Sequence, residues 1–563
     1  MKSHGRVVPP SARRGRSSTA GWPLLLVLAG GFVAVAAAWF ALSNSLGGNK
    51  DPQDYRYVEA VVGAPSRVNP LFVHLNDADR DLASLVFSGL TRLAADGSVL
   101  PDLAETWETS PDGRTVTFHL RGDARWHDGT RFTSADVMFT YSLLGSPNVE
   151  SDPDQATLWH NITCSAADEA TVACRLPEPF APFPAYASAG ILPQHVLAGT
   201  EASALATSIF NQNPIGTGPF KLASLDGSRA ILRANDNYYL GGPPLSEIEM
   251  RFYPDASTAV ASVVRGEARG IFLDASASAD DLDAVASVSG LKRYEAIRTA
   301  YTVLYLNNSQ PPLNDASVRI AIAETIDIDG IIDSLLGGRA VRANSPIVAG
   351  TWANNPELEL NGRDLTEARN RLDEAGWAPP DNAAVRMRNG VELRLTLLTD
   401  RDPIRGRISS EIAKELADVG IAVTLAPEES TNLIRDFLIP RQYQAALFGW
   451  DPGLDPDPYP AWHSSQASDS GRNLAAYADE KADKLLEEAR VTSNLDQRQQ
   501  LYYAFQAVFR DDVPSVLLYH PRDTYFVTDE IKGLQLGTLF SPSSRFRNVN
   551  EWSFEQGRDI RNR

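Results

Sequence analysis

From Tyr301 to Trp450 the sequence alternates between two periodicities, and few architectures accept that pattern. "YTVLYLN" reads as a strand, while "SVRIAIAETI" and "DLTEARNRLDEAG" have helical spacing. In the second of these helices Asp364 predicts the N-cap, Glu367 completes a capping box and Gly376 marks the C-terminal stop. "ELRLTLLT" is a strand, "RISSEIAKELADVG" a helix, "IAVTLAPE" a strand, "NLIRDFL" a helix and "YQAALFG" a strand. This β-α-β-α-β order predicts an open α/β sheet. Upstream, to about Arg298, strands and helices mix: "TVTFHL" alternates and "DLASLVFSGLTRL" has helical spacing. A chain of 563 residues exceeds one ordinary core and predicts at least two lobes.

The N-terminus is different in kind. The first 50 residues hold six Lys or Arg and no acid, and residues 22–43, "WPLLLVLAGGFVAVAAAWFALS", carry no charge. A spanning helix needs about 20 such residues, and the basic flank stays on the cytoplasmic side. The reading is a cytoplasmic tail at 1–21, an uncleaved transmembrane signal anchor at 22–43 and a linker at 44–54, with the body in the cell envelope outside the cytoplasm. Cleavage within "AVAAAWFA" is the alternative. A lipid anchor is excluded, because the two cysteines lie far downstream at Cys164 and Cys174. The body holds 46 basic and 71 acidic residues, a formal charge of −25. Such a body repels nucleic acid and anionic lipid.

"ITCSAADEATVACRL" reads as a hairpin whose arms place Cys164 and Cys174 symmetrically about Glu169. In an oxidising compartment a disulfide is expected there; two free, half-buried thiols are the alternative. Two cysteines without a CxxC spacing do not make a structural zinc site. The sequence contains no HExxH, GxSxG or GxxxxGK[ST], so no catalytic residue, metal or cofactor is expected. "GTGPFK", Gly216 to Lys221, begins like a dinucleotide fingerprint, but Lys221 replaces the third Gly and a strand follows. His127 precedes an Asp128-Gly129 turn, and Thr133 with Asp136 forms a capping box for the helix "ADVMFTYSLL".

The stretch from Phe448 to Ser465, "FGWDPGLDPDPYPAWHSS", is too rich in proline and glycine for an element interior. It leaves the C-terminal end of the strand "YQAALF", where open α/β sheets bind ligands. Its aromatics suit stacking and its carboxylates suit a cation.

The regions from "VNPLF" through "DVMFTYSLL", then "NPIGTGPFKL", "YLNNSQPPLNDASVRIAIAETIDIDGII", "SPI", "DLTEARNRLDEAGW", "GWDPGLDPDPYPAWHSSQ" and "DQRQQLYYAFQAVFRDDVPSVLLYH" recur in order in one family. The chain resembles the extracytoplasmic solute-binding proteins of ABC importers, family 5, the peptide and nickel type. The resemblance implies a two-lobed α/β clamp of the periplasmic-binding-protein kind, class II or cluster C, with open mixed sheets and a hinge. Lobe I, with an extra subdomain, would be 55–298 and 513–555, lobe II 299–512, and 556–563 a polar tail. It implies a monomer that captures an oligopeptide or dipeptide and delivers it to an ABC permease and ATPase. The same clamp in related branches binds oligosaccharides, metal complexes or opines, and a ligand sensor is a further alternative.

In peptide binders of this family an aspartate three residues after a Gly-Trp pair takes the ligand's ammonium. Gly449 and Trp450 match the pair, giving a backbone contact and a wall. Gly453 stands at the aspartate's position, so the resemblance shifts that role to Asp455, with Asp457 as a turn former and Tyr459 and Trp462 as ligand-facing aromatics. A glycosidase-like carboxylate pair does not fit two acids on one proline-rich loop.

Overall fold

A long strand, Ser515–Thr528, organises the molecule. The computed structural model describes residues 56–359, 362–379 and 384–555; the tails, the apolar segment 22–43 and the linker lie outside them. Among the described residues no helix is long and apolar enough to cross a membrane. On one side of the long strand lie, in sheet order, Gly270–Leu273, Arg56–Val62, Glu247–Tyr253, Arg229–Ala234 and Phe220–Leu225. On the other side lie Tyr301–Leu306, Ala445–Trp450, Arg394–Asp400 and Ala422–Glu428. The beginning of the strand pairs antiparallel with Tyr301–Leu306. Its end pairs with Gly270–Leu273 and Leu291–Ile297. One twelve-stranded sheet therefore serves two lobes.

The cores divide in the same way. Lobe I buries Phe72, Leu82, Phe118, Trp126, Tyr525 and Trp552 together. Lobe II buries Leu306, Ile322, Leu397, Ile412 and Leu518 on one face of its sheet and Tyr305, Trp462 and Phe505 on the other. Val513, Val516 and Leu518 belong to the lobe II core, so the expected return to lobe I at Val513 is placed too early. The second crossing falls at His520–Arg522, beside the first at Arg298–Ala300: Arg298 donates its backbone N–H to Pro521 at 3.0 Å. An Arg298–Asp523 pair, at 2.8 and 2.9 Å, ties the two segments together.

Lobe II follows the expected alternation. Arg394–Asp400 pairs parallel with both Ala422–Glu428 and Ala445–Trp450. Asp364 caps the helix Leu365–Glu374 through the backbone N–H groups of Thr366 and Glu367, and Gly376 leaves it with φ +81°. "NLIRDFL" differs: Leu433–Leu438 winds with π spacing. In lobe I the pattern "DLASLVFSGLTRL" is helical only over Asp77–Val86, and Thr91–Leu93 is a strand. The break is steric. A Cβ at Gly89 would lie 2.4 Å from the Ser188 carbonyl oxygen, so only glycine lets these segments meet.

The glycines of "GTGPFK" serve the same end. A Cβ at Gly216 would sit 1.8 Å from the Val86 carbonyl oxygen, and the strand Phe220–Leu225 follows. His127 accepts the Gly216 N–H at 3.2 Å on Nδ1, and its Nε2 donates to the Gly218 carbonyl at 3.0 Å. Burial pushes its pKa down to about 4, so it joins backbone segments as a neutral ring. Thr133 and Asp136 form the capping box of Ser134–Leu144. Lobe I also carries a separate four-stranded antiparallel sheet. At its edge Cys164 stands opposite Cys174 in register, and the two are joined by a disulfide across 4.0 Å between Cα atoms.

Candidate functional site

The strand Ala445–Trp450 ends with one edge paired and the other open. Trp450 stands opposite Tyr301 and Gly449 opposite Thr302. On the other side the ladder with Arg394–Asp400 stops at Thr399 and Leu447. The backbone of Phe448, Gly449 and Trp450 on that side thus has no strand partner among the described residues. Space above Gly449 is open, since a Cβ there would meet only the Tyr301 carbonyl oxygen, at 4.0 Å.

The loop that follows is held from within. Gly453, at φ +85°, folds back so that its N–H reaches Asp451 Oδ1 at 2.9 Å. Asp455 is turned inward. It receives both Nη groups of Arg498, at 2.9 and 2.5 Å, and both side chains are 5% exposed. Arg498 lies on the helix Leu495–Asp512, donates to Tyr502 Oη at 2.7 Å and is covered by the Trp352 ring. Desolvation works against this buried guanidinium, but the Asp455 charge outweighs it and holds the proton more firmly than usual. Asp455 is therefore corrected as the ammonium contact: both oxygens are spent on Arg498, and the pair is sealed from the cleft. Asp457 accepts the Tyr459 backbone N–H at 3.1 Å and lies 3.5 Å from Arg490 Nε. Burial pushes its carboxyl up, against the pull of Arg490 and Arg498.

The aromatics separate likewise. Tyr459 is half-buried, with the His463 ring stacked on it at 4.1 Å and the Arg490 guanidinium 4.2 Å from its centroid. Trp462, at 1% exposure, packs against Phe509 at 4.6 Å and Tyr305 at 6.4 Å. It is a core residue and offers no face to a ligand, because its helical turn Tyr459–Trp462 directs it inward.

Asp451, directly after Trp450, is the acid that sequence reasoning passed over. Its one hydrogen bond among the described residues comes from Gly453. Solvent still reaches it, yet the protein surrounding it pushes the carboxyl up, opposed by Gly453 and by the charges of Arg298 and Arg80 in lobe I. The signal was present: an acid at the tip of the strand that carries the Gly-Trp pair. Arg490 and Arg498 had no signal, since their acids are distant in sequence.

Lobe I closes over this loop. Ala181 donates its backbone N–H to the Arg490 carbonyl at 2.8 Å, and Trp352 donates its own to Asp96 at 2.9 Å. Asp154 and Arg472 pair across the same gap. Two lobes, a double crossing and a strand-end loop between them form a clamp, and residues 98–473 match the family described as bacterial extracellular solute-binding proteins, family 5 Middle. The chain belongs to this family. Family 5 proteins bind solutes and are not enzymes.

Among similar family 5 proteins is the oligopeptide-binding protein AppA of Bacillus subtilis, 26% identical over 89% of this chain and 92% of that protein. Another is the probable D,D-dipeptide-binding periplasmic protein DdpA of Escherichia coli, 28% identical over 80% of this chain and 84% of that one. Two solved structures align well. NikZ from Campylobacter jejuni, in complex with Ni(L-His), gives a TM-score of 0.66 at 28% identity, covering 89% of this chain and 99% of its own. Bacillus subtilis AppA, in complex with a nonapeptide, gives 0.64 at 25%, with the same coverage.

Proposed function

We propose that this family 5 protein is the substrate-binding subunit of an ABC importer and captures peptides between its lobes. One observation carries the reading: the open backbone edge of Phe448–Trp450 ends at the Asp451 carboxylate. An extended ligand adds to such an edge through main-chain hydrogen bonds, and a terminal ammonium meets a carboxylate at its tip. Gly449 leaves room for that backbone, Trp450 forms a wall, and Tyr459 lies at the other end of the loop. The similarity to AppA and DdpA supports the same ligand class.

Calorimetry with free and N-acetylated tripeptides tests it. Asp451→Asn keeps the shape and removes the charge, so free peptide is expected to lose about 2–4 kcal/mol and acetylated peptide little. Asp451 binds the ammonium as the carboxylate, and its surroundings raise its pKa. Affinity for free peptide should therefore fall on acidification at a higher pH than an ordinary aspartate would give, and Asp451→Asn should lack that step. Equal affinity of wild type for free and acetylated peptide would remove the ammonium reading.

The apolar segment 22–43 supports a membrane anchor that keeps the monomeric subunit beside its permease and ATPase. Edman sequencing of the mature protein decides between an anchor and a cleaved signal: a start within residues 34–55 would exclude the anchor.

A further inference from the structure

Lobe I contains a cavity of about 250 Å³ that the peptide reading does not use. Its lining comes from lobe I alone, from the end of the helix Asp77–Val86 and the residues after it to the segment 540–550. None of Gly449, Trp450 or Asp451 contributes to it. A rigid lobe keeps such a space whether the clamp is open or closed.

The charges around the cavity do not balance. Arg92, on the strand Thr91–Leu93, has no side-chain hydrogen bond and no ion pair among the described residues, and its buried Nε lacks an acceptor. A buried donor left unmet is costly, so the position calls for an acceptor from outside the chain. Arg547 brings a second guanidinium. It donates to the carbonyls of Ser544 at 3.0 Å, Ala94 at 2.6 Å and Thr538, and among the described residues no carboxylate pairs with it. Burial pushes its pKa down to about 10, against the pull of Asp96. The acid of the cavity, Asp102, is 5% exposed and accepts the Tyr239 hydroxyl at 2.5 Å. Burial pushes its carboxyl up to about 7, against Tyr239, Arg92 and Arg121, so it offsets only part of the positive charge beside it.

The other walls include four rings, those of Phe87, Tyr238, Phe540 and Phe546. Guanidinium donors among aromatic walls complement a flat molecule that carries one carboxylate. A bare inorganic oxyanion would satisfy the donors and gain nothing from the rings. The volume lies below the range of about 300–1,000 Å³ typical of drug-sized ligands, which restricts the occupant to a small one. We propose that this cavity binds a small aromatic carboxylate through the guanidinium of Arg92, independently of the cleft that holds Asp451.

Benzoate is the probe, titrated by calorimetry into the full-length protein, with benzamide and inorganic phosphate beside it. Saturable benzoate binding is expected. Benzamide, of the same shape without the charge, and phosphate, charged without the ring, should each bind at least about tenfold more weakly. Arg92→Met removes the guanidinium without breaking a hydrogen bond, and Ser84→Trp fills the cavity from an exposed helix position. Each should weaken benzoate at least about tenfold while the midpoint of urea unfolding stays close to that of wild type. Saturating trialanine should leave benzoate affinity within about twofold. Absence of saturable benzoate binding, equal affinity for benzamide, affinity that survives either substitution, or displacement by trialanine overturns the site. Displacement of benzoate by an equal concentration of phosphate overturns the aromatic carboxylate as its occupant.

Discussion

Asp451 and Asp455 share a loop and a side chain, and their surroundings give them opposite tasks. Asp455 faces a guanidinium in a dry interior, with both of its oxygens engaged by Arg498. Removing one partner of such a pair leaves a stranded charge, which costs about 3–5 kcal/mol, whereas replacing both by neutral groups of similar shape is often nearly neutral. Arg498→Met is therefore expected to destabilise lobe II by about that amount in chemical denaturation, and Asp455→Asn combined with Arg498→Met to recover most of it. A double variant as unstable as the single one would show that Arg498 acts through packing on Trp352 and Tyr502 instead. Asp451, with one backbone hydrogen bond and solvent within reach, keeps a lone pair for a visitor.

At the scale of elements, local chemistry was well written in the sequence. Asp364, Thr133 and Asp136 cap the helices expected of them, because a cap is decided by neighbours a few residues away. What failed was decided by distant segments. The helix at Asp77 stops at Val86 because Gly89 must back onto Ser188, and Trp462 turns inward because Tyr305 and Phe509 await it. Asp455 looked available because its partner lies 43 residues downstream, on another helix. The Cys164–Cys174 hairpin was legible because its two arms are neighbours in sequence. Closing so short a loop adds about 2–3 kcal/mol by the chain-entropy estimate. Replacing both cysteines by serine should lower stability by that amount without changing affinity for trialanine. A shift in affinity would connect the edge of the four-stranded sheet to the cleft.

For the molecule as a whole, the decisive feature is the sheet shared by both lobes. A clamp needs two stiff jaws and a compliant joint, and two adjacent crossings, at Arg298–Ala300 and His520–Arg522, provide the joint with little freedom to shear. The Arg298–Asp523 pair sits at that joint and, through the charge of Arg298, is felt by Asp451, so the joint and the proposed ammonium contact lie in one electrostatic neighbourhood. Past the expected return at Val513, Val516 and Leu518 still pack in the lobe II core. The helix end at Asp512 is a local signal, whereas the strand runs on without punctuation through the joint.

The same strand also sets a timetable. Ser515–Thr528 is an interior strand of the sheet, flanked by partners that precede it by more than 200 residues on each side. A chain made and exported from its N-terminus presents two half-sheets with exposed edges, and neither jaw is finished until that strand arrives. The polypeptide thus stays threadable for nearly its whole passage and commits to its shape at the end, both jaws at once.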